Sequence, residues 1–250
     1  MGAEDLRGRR ALVTGGGSGI GRAIAVRLAA AGASVVVVDR DAASAERVAA
    51  EVGGTAVAAD LSDPAAVEAI DVDVDVLVNN AGFQHVAPLH EFPPEVFATI
   101  LRLMVETPFR LVRGALPHMY DRGWGRVVNV SSVHGHRASP YKSAYVTAKH
   151  ALEGLSKVVA LEGAAHGVTS NCVAPAYVRT PLVEGQIADQ ARTHGISEDQ
   201  VVEQIMLAPA AVKRLMEPAE VADAVAWLCS PSAASVTGTS LRMDGGWTAH

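Results

Sequence analysis

The chain has 250 residues, 49% of them hydrophobic, enough to bury the core of one α/β domain over residues 1–250. Its net charge of −6 argues against nucleic-acid partners, which require a basic surface. The charged start MGAEDLRGRR and the lack of any apolar run near ~20 residues argue against a signal peptide and against a membrane partner, so we expect a cytoplasmic protein.

Apolar runs rich in Val, Ala and Leu recur along the chain and are continuous rather than alternating, which is typical of strands covered on both faces. Helical patterns lie between them, such as Ile20, Ile24 and Leu28 on one face, ending at Gly32. This alternation predicts a doubly wound parallel sheet with helices on both faces. The runs are Ala11 to Val13, Ser34 to Val38, Thr55 to Ala58, Val74 to Val78, Arg126 to Val130, Val168 to Val173 and Ser240 to Met243.

The first predicted strand leads through the glycine-rich turn TGGGSGIG, which begins at Thr14, into a helix. Such a turn also occurs as a tight connection, but here it presents helix N-terminal amides to a pyrophosphate. Asp39 ends the next strand 18 residues after Gly21, near the ~20-residue offset at which an acid binds the adenosine ribose. A carboxylate repels a 2′-phosphate, so NAD is predicted rather than NADP, although the cation of Arg40 favours the phosphate.

The segment Ser143 to His150, SAYVTAKH, places Tyr145 four residues before Lys149 in a helical pattern. The two side chains therefore lie one turn apart on the same face. Alone, this spacing is more typical of a packed tyrosine and a solvated lysine than of a catalytic pair. Farther along, two helical pieces joined around Gly195 interrupt the pattern over residues 182–215, and they predict a small helical lid.

The two cysteines, Cys172 and Cys229, are far apart and lie in apolar surroundings. They have no CxxC or ligand spacing, so we expect both to be buried and reduced. No His, Asp and Glu grouping has ligand spacing either, so no metal is predicted.

The ordered motifs TGGGSGIG, AADL, NNAG, VNVSS, YVTAK and NCVAP resemble the short-chain dehydrogenase/reductase family over nearly the whole chain. The resemblance implies a Rossmann-type fold, an NAD-dependent reaction at an alcohol carbon, and Ser132, Tyr145 and Lys149 as catalytic residues. It also implies a set of residues that contact the cofactor: Gly15, Ser18, Gly19, Ile20, Gly21, Asp39, Asp60, Leu61, Asn80, Ala81, Gly82, Tyr145, Lys149, Pro175, Val178 and Thr180.

These catalytic roles suit the chemistry, because nicotinamide carries only the hydride and a proton must move at the substrate oxygen. Tyr145 would transfer that proton. The neighbouring Lys149 ammonium and the positive charge of oxidised nicotinamide both favour the phenolate, so together they are expected to lower the pKa of Tyr145 from its ordinary value near ~10. Ser132 would hydrogen-bond the substrate oxygen and fix its position.

The chain departs from the family pattern at two positions. Ala176 follows Pro175, where the motif usually has glycine. Met104 stands where many members have an asparagine that holds a water relaying protons to the lysine. Methionine cannot donate a usable hydrogen bond. Either solvent or a nearby group replaces the relay, which we favour, or the protein binds NAD with impaired turnover.

Within the family, the segments NNAGFQHVAP, TPLVEGQI and DGGWTAH are similar to bacterial D-3-hydroxybutyrate dehydrogenases. This similarity implies interconversion of D-3-hydroxybutyrate and acetoacetate. Tyr177 and Trp247 would wall the pocket, and Tyr177 replaces a usual tryptophan, which would admit a longer hydroxy acid. The implied substrate-binding residues are Gln84, Ser132, His134, Lys142, Tyr145 and Gln186, of which four would bind the carboxylate.

Each of those four side chains alone also fits a structural or solvated role. Another substrate class, a sugar, a sterol or a 3-oxoacyl thioester, remains an alternative, as does a non-enzymatic scaffold. Relatives are usually homotetramers, so we expect interfaces on the helices near Glu95 to Arg122 and Ser143 to Ala165.

Overall fold

The structure is a computed structural model that describes residues 5–249, with all their side chains except those at positions 182, 189, 190, 193 and 194. Within this part of the chain, seven parallel strands form one sheet in the order β3-β2-β1-β4-β5-β6-β7. The strands are β1 (Arg10–Thr14), β2 (Ser34–Asp39), β3 (Thr55–Ala58), β4 (Val76–Asn79), β5 (Gly125–Val130), β6 (Val168–Pro175) and β7 (Ser240–Met243). All seven predicted strands are confirmed.

Helices cover both faces of this sheet, as predicted. They are α1 (Gly19–Ala30), α2 (Ala42–Val52), α3 (Pro64–Glu68), α4 (Pro94–Leu101), α5 (Thr107–Asp121), α6 (Ser143–Gly163), α7 (Pro181–His194), α8 (Glu198–Val201) and α9 (Pro218–Cys229). Short 3₁₀ turns lie at Leu89–Glu91, Val133–Gly135, Ala164–His166 and Pro231–Ala233, and π-helical turns at Arg102–Glu106 and Val202–Met206.

The strand order reverses at β1, which pairs with β2 on one side and with β4 on the other. The connections that leave the carboxyl ends of β1 and β4 therefore run to opposite faces of the sheet. In open parallel sheets the crevice at such a reversal is where ligands bind. A ligand site is therefore expected among the loops after β1, β4, β5 and β6.

Two apolar layers hold the sheet between the helices. On one face, Ile24 and Leu28 of α1 are fully buried against Val225 of α9 and the strands. On the other face, Leu111 and Met119 of α5 pack in the same way. Each fully buried aliphatic side chain of this size contributes ~1.5–3 kcal/mol through removal from water, so the strand ends at the crevice rest on a rigid base.

The helix predicted over Glu95 to Arg122 is interrupted. A π-helical turn at Arg102–Glu106 separates α4 from α5. Pro108, in the first turn of α5, has no N–H to donate to the carbonyl four residues earlier, so a regular α-helical ladder cannot run through this point. The wide turn places Met104 in the interior, where it is 2% exposed.

The segment over residues 182–215 has the predicted helices, α7 and α8. Gly195 joins them with a φ of +65°, and Ser197 and Gln200 form a reciprocal capping box. Both cysteines are buried and free, as expected. No helix within residues 5–249 combines the length and the apolar character that crossing a membrane requires.

Candidate active site

The glycine-rich turn after β1 is shaped by contacts that leave no room for side chains. A Cβ at Gly21 would lie 2.0 Å from the carbonyl oxygen of Gly15, and Gly15 and Gly19 have φ values of +62° and +51°. Glycine is the residue that adopts these conformations without strain. Ser18 makes no side-chain cap within the described residues, so its hydroxyl does not occupy the first amides of α1, which begins at Gly19 and Ile20. The cradle fits a pyrophosphate.

Asp39 lies beside this turn at the end of β2. Its Oδ2 accepts a hydrogen bond from the backbone N–H of Gly17 at 3.0 Å, and its Oδ1 accepts from Asp41 N at 3.1 Å. The carboxylate is therefore fixed at the edge of the cradle. Arg40, next to it, is exposed, so the position has one fixed anion and one solvated cation.

The loop after β4 is tied to the same turn. Asn80 donates from Nδ2 to Thr14 O at 2.9 Å and to Gly15 O at 3.2 Å. The Thr14 hydroxyl accepts from the backbone N–H groups of Asn80 and Ala81 at 2.9 and 3.1 Å. A Cβ at Gly82 would approach the Met104 side chain to 3.2 Å. Residues 80–82 therefore line the crevice beside the glycine turn.

Asp60 and Leu61, two further predicted cofactor residues, follow β3. Asp60 accepts from Ser62 N at 2.9 Å and from its Oγ at 2.7 Å, bonds that lower the pKa of the carboxyl. Leu61 is buried in the core, and its carbonyl accepts from Thr107 Oγ1 at 2.6 Å. The adenine contact expected of both stays a prediction.

Beyond β6, the loop after Pro175 is held in place from two sides. The N–H of Ala176 donates to Met243 O at 3.0 Å, and Val178, which is buried, pairs with Met216. Thr180 caps α7 by accepting from Val183 N at 3.3 Å. Alanine at position 176 is thus accommodated beside β7.

The three predicted catalytic residues come together at the ends of β5 and α6. The Ser132 hydroxyl lies close enough to the phenol of Tyr145 to favour a lower pKa of that phenol. Lys149 Nζ lies 5.4 Å from the centroid of the Tyr145 ring and donates to Val130 O at 2.6 Å. The helical spacing read from SAYVTAKH therefore does put the phenol and the ammonium side by side.

The expectation that Lys149 contributes to lowering the pKa of the phenol is wrong. Burial raises the pKa of Tyr145, and the nearby Ser132 hydroxyl opposes this only in part. Burial also lowers the pKa of Lys149 to about 8. Desolvation disfavours both charged forms, and the Lys149 ammonium is committed to a carbonyl, so it does not offset the loss of water around the phenol.

His134 lies next to this trio in a fixed orientation. Its ring is 5.9 Å from the Tyr145 ring, its Nδ1 is 3.4 Å from Ser132 Oγ, and its Nε2 is 3.0 Å from Ser139 Oγ. Sequence reasoning missed Ser139, because a serine in a loop gives no periodic or motif signal. Both ring nitrogens thus have hydroxyl partners.

Lys142 and Gln84 belong to neighbouring loops. The N–H of Ala87 donates to Tyr141 O at 3.0 Å, and Tyr141 has a φ of +67°, an uncommon conformation for a residue with a side chain. This bond joins the segment of Gln84 to that of Lys142. The Lys142 ammonium is half-buried, 5.7 Å from the Tyr177 ring centroid, and burial lowers its pKa.

Gln186 is half-buried on α7. Across residues 5–249, no hydrogen bond or ring contact joins it to His134 or to Lys142. Of the four predicted carboxylate ligands, the structure therefore places His134 beside Tyr145 and Lys142 against the Tyr177 ring. Gln84 lies on a loop bonded to that of Lys142, and Gln186 lies on α7.

A cavity of about 10 Å³ lies between Met104 and Lys149. This is about the room that one water molecule needs. Asn79 lines it and has a buried Oδ1 without a hydrogen-bond partner within the described residues. Met104 therefore leaves a polar acceptor and the Lys149 ammonium next to a space of water size, which favours retained proton exchange over lost turnover.

Burial of His134 makes stability depend on pH. Burial, then the charges of Lys142 and His150, lower the pKa of His134 from 6.5 to about 4, so between these values the unfolded chain binds a proton that the fold excludes. The contribution of neutral, buried His134 to the free energy of unfolding is fully present above pH 6.5 and is lost as the pH falls to about 4. At ~1.36 kcal/mol per pH unit it amounts to on the order of 3 kcal/mol.

Urea unfolding at pH 4.5 and pH 7 checks this expectation with the wild type and His134→Gln. The wild type should lose more free energy of unfolding on acidification than the variant, by about 2 kcal/mol. An exposed histidine, His166, serves as the control through His166→Gln, which should keep the wild-type pH dependence. Equal slopes for the wild type and His134→Gln would contradict the burial of a neutral imidazole.

No group of three or more His, Cys, Asp and Glu side chains suited to a metal ion is found within the described residues.

A family model described as enoyl-(acyl carrier protein) reductase matches residues 15–248. Among curated proteins, the chain is 44% identical to a D-beta-hydroxybutyrate dehydrogenase of Rhizobium meliloti, covering 97% of this chain and 99% of the relative. It is 42% identical to a D-beta-hydroxybutyrate dehydrogenase of Cupriavidus necator, covering 98% and 100%.

Among solved structures, the chain is similar to a putative 2-deoxy-D-gluconate 3-dehydrogenase from Agrobacterium tumefaciens with bound NADP. The TM-score is 0.87 and the identity 34%, with all of each chain covered. The similarity extends over the whole sheet and its helices, so the crevice described above is the equivalent region of that fold.

Proposed function

Since the chain belongs to the short-chain dehydrogenase/reductase family, we propose that it is an NAD-dependent oxidoreductase that interconverts a D-3-hydroxy acid and its 3-keto acid. D-3-hydroxybutyrate and acetoacetate are the pair we favour. The observation that carries the proposal is the placement of His134 next to Ser132 and Tyr145, with the Lys142 ammonium over the Tyr177 ring on the other side of Trp247. The names of the relatives with 44% and 42% identity support the same substrate.

The reacting oxygen is assigned to Ser132 and Tyr145. When bound, the dinucleotide supplies the hydride chemistry. In the oxidation direction, the phenolate form of Tyr145, whose own proton has left toward solvent past Lys149, would remove the proton of the substrate hydroxyl, while Ser132 donates a hydrogen bond that holds the oxygen in place. The positive charge of oxidised nicotinamide would favour this phenolate against the effect of burial. Lys149 holds a proton next to the phenol, and the space of about 10 Å³ beside it lets a water exchange that proton.

The carboxylate is assigned to Lys142 and His134, with Gln84 and Gln186 as further donors. Lys142 is half-buried, so the effective dielectric constant around its ammonium is lower than in water. Its electrostatic attraction to a carboxylate is therefore stronger than that of a fully solvated lysine. His134 stays neutral at pH 7, since burial lowers its pKa to about 4, so it offers the carboxylate one N–H, in place of the contact that this nitrogen makes to a serine hydroxyl. Together they place the 3-oxygen toward Tyr145.

The cofactor is assigned to the cradle formed by Gly15, Gly19 and Gly21, with Asp39 at the ribose. The fixed carboxylate of Asp39 supports NAD, whereas the similar structure from Agrobacterium tumefaciens has NADP bound. Arg40 offers a cation to a 2′-phosphate if the neighbouring anion is removed. The preference for NAD over NADP therefore depends on the negative charge of Asp39.

Asp39→Ser tests this assignment. A hydrogen bond to a charged group contributes ~1.5–3 kcal/mol, so kcat/KM with NAD should fall by about tenfold to a hundredfold, and kcat/KM with NADP should rise. Asp41→Ser, which alters the adjacent exposed carboxylate that accepts from Ser44, is the matched control and should keep the NAD preference. An unchanged ratio in Asp39→Ser would remove Asp39 from the ribose site.

Initial rates with D-3-hydroxybutyrate, a sugar, a sterol alcohol and a 3-hydroxyacyl thioester, each with both dinucleotides, test the proposed function. We expect turnover of the hydroxy acid and competitive inhibition by acetate. Turnover of a neutral substrate without acetate inhibition would favour another member of the family. Tight NADH binding, measured by its fluorescence, without any turnover would favour the second candidate, an NAD-binding protein impaired by Met104.

Assembly and location extend the proposal. Phe109 on α5 and Val158 and Leu161 on α6 are 51%, 51% and 82% exposed. Apolar side chains so exposed on two neighbouring helices mark an association surface, which supports the homotetramer predicted on these helices. A cytoplasmic location also remains a prediction.

A further inference from the structure

A second and larger cavity, of about 220 Å³, lies beside the predicted substrate site. The Tyr177 and Trp247 rings form one of its walls. Met206, Leu207 and Ala210, which follow α8, also line it, and each is at most 6% exposed. The lining is thus largely aliphatic and aromatic, the composition of a site for an apolar ligand group.

The aromatic wall is shared with the residues assigned to the reaction. Tyr177 and Trp247 stack with their centroids 6.0 Å apart. The Trp247 ring lies 5.9 Å from the His134 ring, and the Lys142 ammonium lies 5.7 Å from the Tyr177 ring. A ligand held by Lys142 and His134 therefore touches the same two rings that bound the cavity.

The charged side chains around the cavity are already bonded. Arg214 pairs with Glu220 through contacts of 2.6 and 2.7 Å. Asp244 accepts from Gly246 N at 3.0 Å and from Thr248 N at 2.9 Å. These groups therefore do not require a charged ligand, and the cavity favours an uncharged one.

We propose that this cavity binds the alkyl tail of a D-3-hydroxy acid longer than hydroxybutyrate. This inference rests on the proposed function. A dry apolar cavity of ~150 Å³ accommodates benzene, so about 220 Å³ has room for a tail of about four to six carbons beyond the reacting carbon. The substrate class is that of medium-chain 3-hydroxy acids, such as 3-hydroxyoctanoate, with the carboxylate at Lys142 and the tail behind Tyr177 and Trp247.

The test measures kcat/KM for the D-3-hydroxy acids of four, six and eight carbons with NAD. Burial contributes ~0.8 kcal/mol per methylene, which is about a fourfold gain in kcat/KM for each one until the cavity is filled. Calorimetric titration of the NADH-loaded protein with acetate, hexanoate and octanoate gives a readout without turnover, and the Kd should fall along that series.

Ala210→Phe fills the cavity, and Ala208→Phe makes the same change at an exposed position two residues earlier that does not line it. We expect Ala210→Phe to lower the ratio of kcat/KM for eight carbons over four at least tenfold, and Ala208→Phe to keep it. If Ala210→Phe does not fold, the kcat/KM values of the wild type for the three chain lengths and the calorimetric Kd values still show whether the cavity binds the tail.

Two results would overturn the inference in distinguishable ways. Turnover of hydroxybutyrate with kcat/KM falling as the chain lengthens, and a Kd that does not fall from acetate to octanoate, would remove the tail site and leave the proposed function intact. No turnover of any 3-hydroxy acid would remove both.

Discussion

Tyr145→Phe is expected to lower kcat for hydroxybutyrate oxidation by on the order of 10²–10⁴-fold, the contribution typical of a positioned proton-transfer group. The variant keeps the ring, its edge contact with His134 at a centroid distance of 5.9 Å, and the apolar packing around it. It loses only the hydroxyl, on whose pKa Ser132 acts. Initial rates under saturating NAD measure the effect, and NADH fluorescence titration should give a nearly unchanged Kd.

The matched control is Tyr120→Phe. That tyrosine stacks on His166 at a centroid distance of 4.0 Å, at the far end of α5, so loss of its hydroxyl should leave kcat unchanged. A Tyr145→Phe protein that folds, binds NADH and turns over at the wild-type rate would show that another group transfers the proton.

Lys142→Met is expected to lower kcat/KM for hydroxybutyrate by about tenfold to a hundredfold, chiefly through KM, because a charge-assisted hydrogen bond to the carboxylate contributes ~1.5–3 kcal/mol. Methionine preserves much of the half-buried side-chain volume and removes the charge. The uncharged methyl ester of hydroxybutyrate provides the second substrate, and its kcat/KM should change little. A purely structural role of Lys142 would lower both substrates equally.

Lys157→Met controls for the loss of a lysine from the same region, since Lys157 is exposed on α6 and should have wild-type kinetics. If Lys142→Met also left the KM for hydroxybutyrate and its inhibition by acetate unchanged, the carboxylate would not bind at this ammonium. The substrate assignment would then lose its main support.

The features predictable from sequence are those set by local chemistry. The Val-rich run Ser34 to Val38 forms a strand because it is buried on both sides, and Ser197 with Gln200 caps α8 through neighbours in the chain. The glycine turn was also recognisable, since a side chain at Gly21 would strike the Gly15 carbonyl. In each case the deciding contacts lie within a few residues or repeat with a regular period.

The features that escaped prediction depend on contacts between distant segments. The π-helical turn before Pro108 was hidden by an otherwise regular helical pattern. The raised pKa of Tyr145 results from the burial supplied by surrounding loops. The 220 Å³ cavity is lined by the segment after α8 and by the loops after β6 and β7. Periodicity and motifs do not encode how such segments pack together.

The central claim is that a hydride leaves the 3-carbon of a hydroxy acid for nicotinamide while Tyr145 takes the hydroxyl proton. D-3-hydroxybutyrate deuterated at that carbon, incubated with the wild-type protein and NAD, tests it by proton NMR of the recovered dinucleotide. We predict reduced nicotinamide that carries the deuterium, together with acetoacetate. Recovery of unlabelled NAD and unreacted hydroxybutyrate, from a protein shown to bind NADH, would contradict the account.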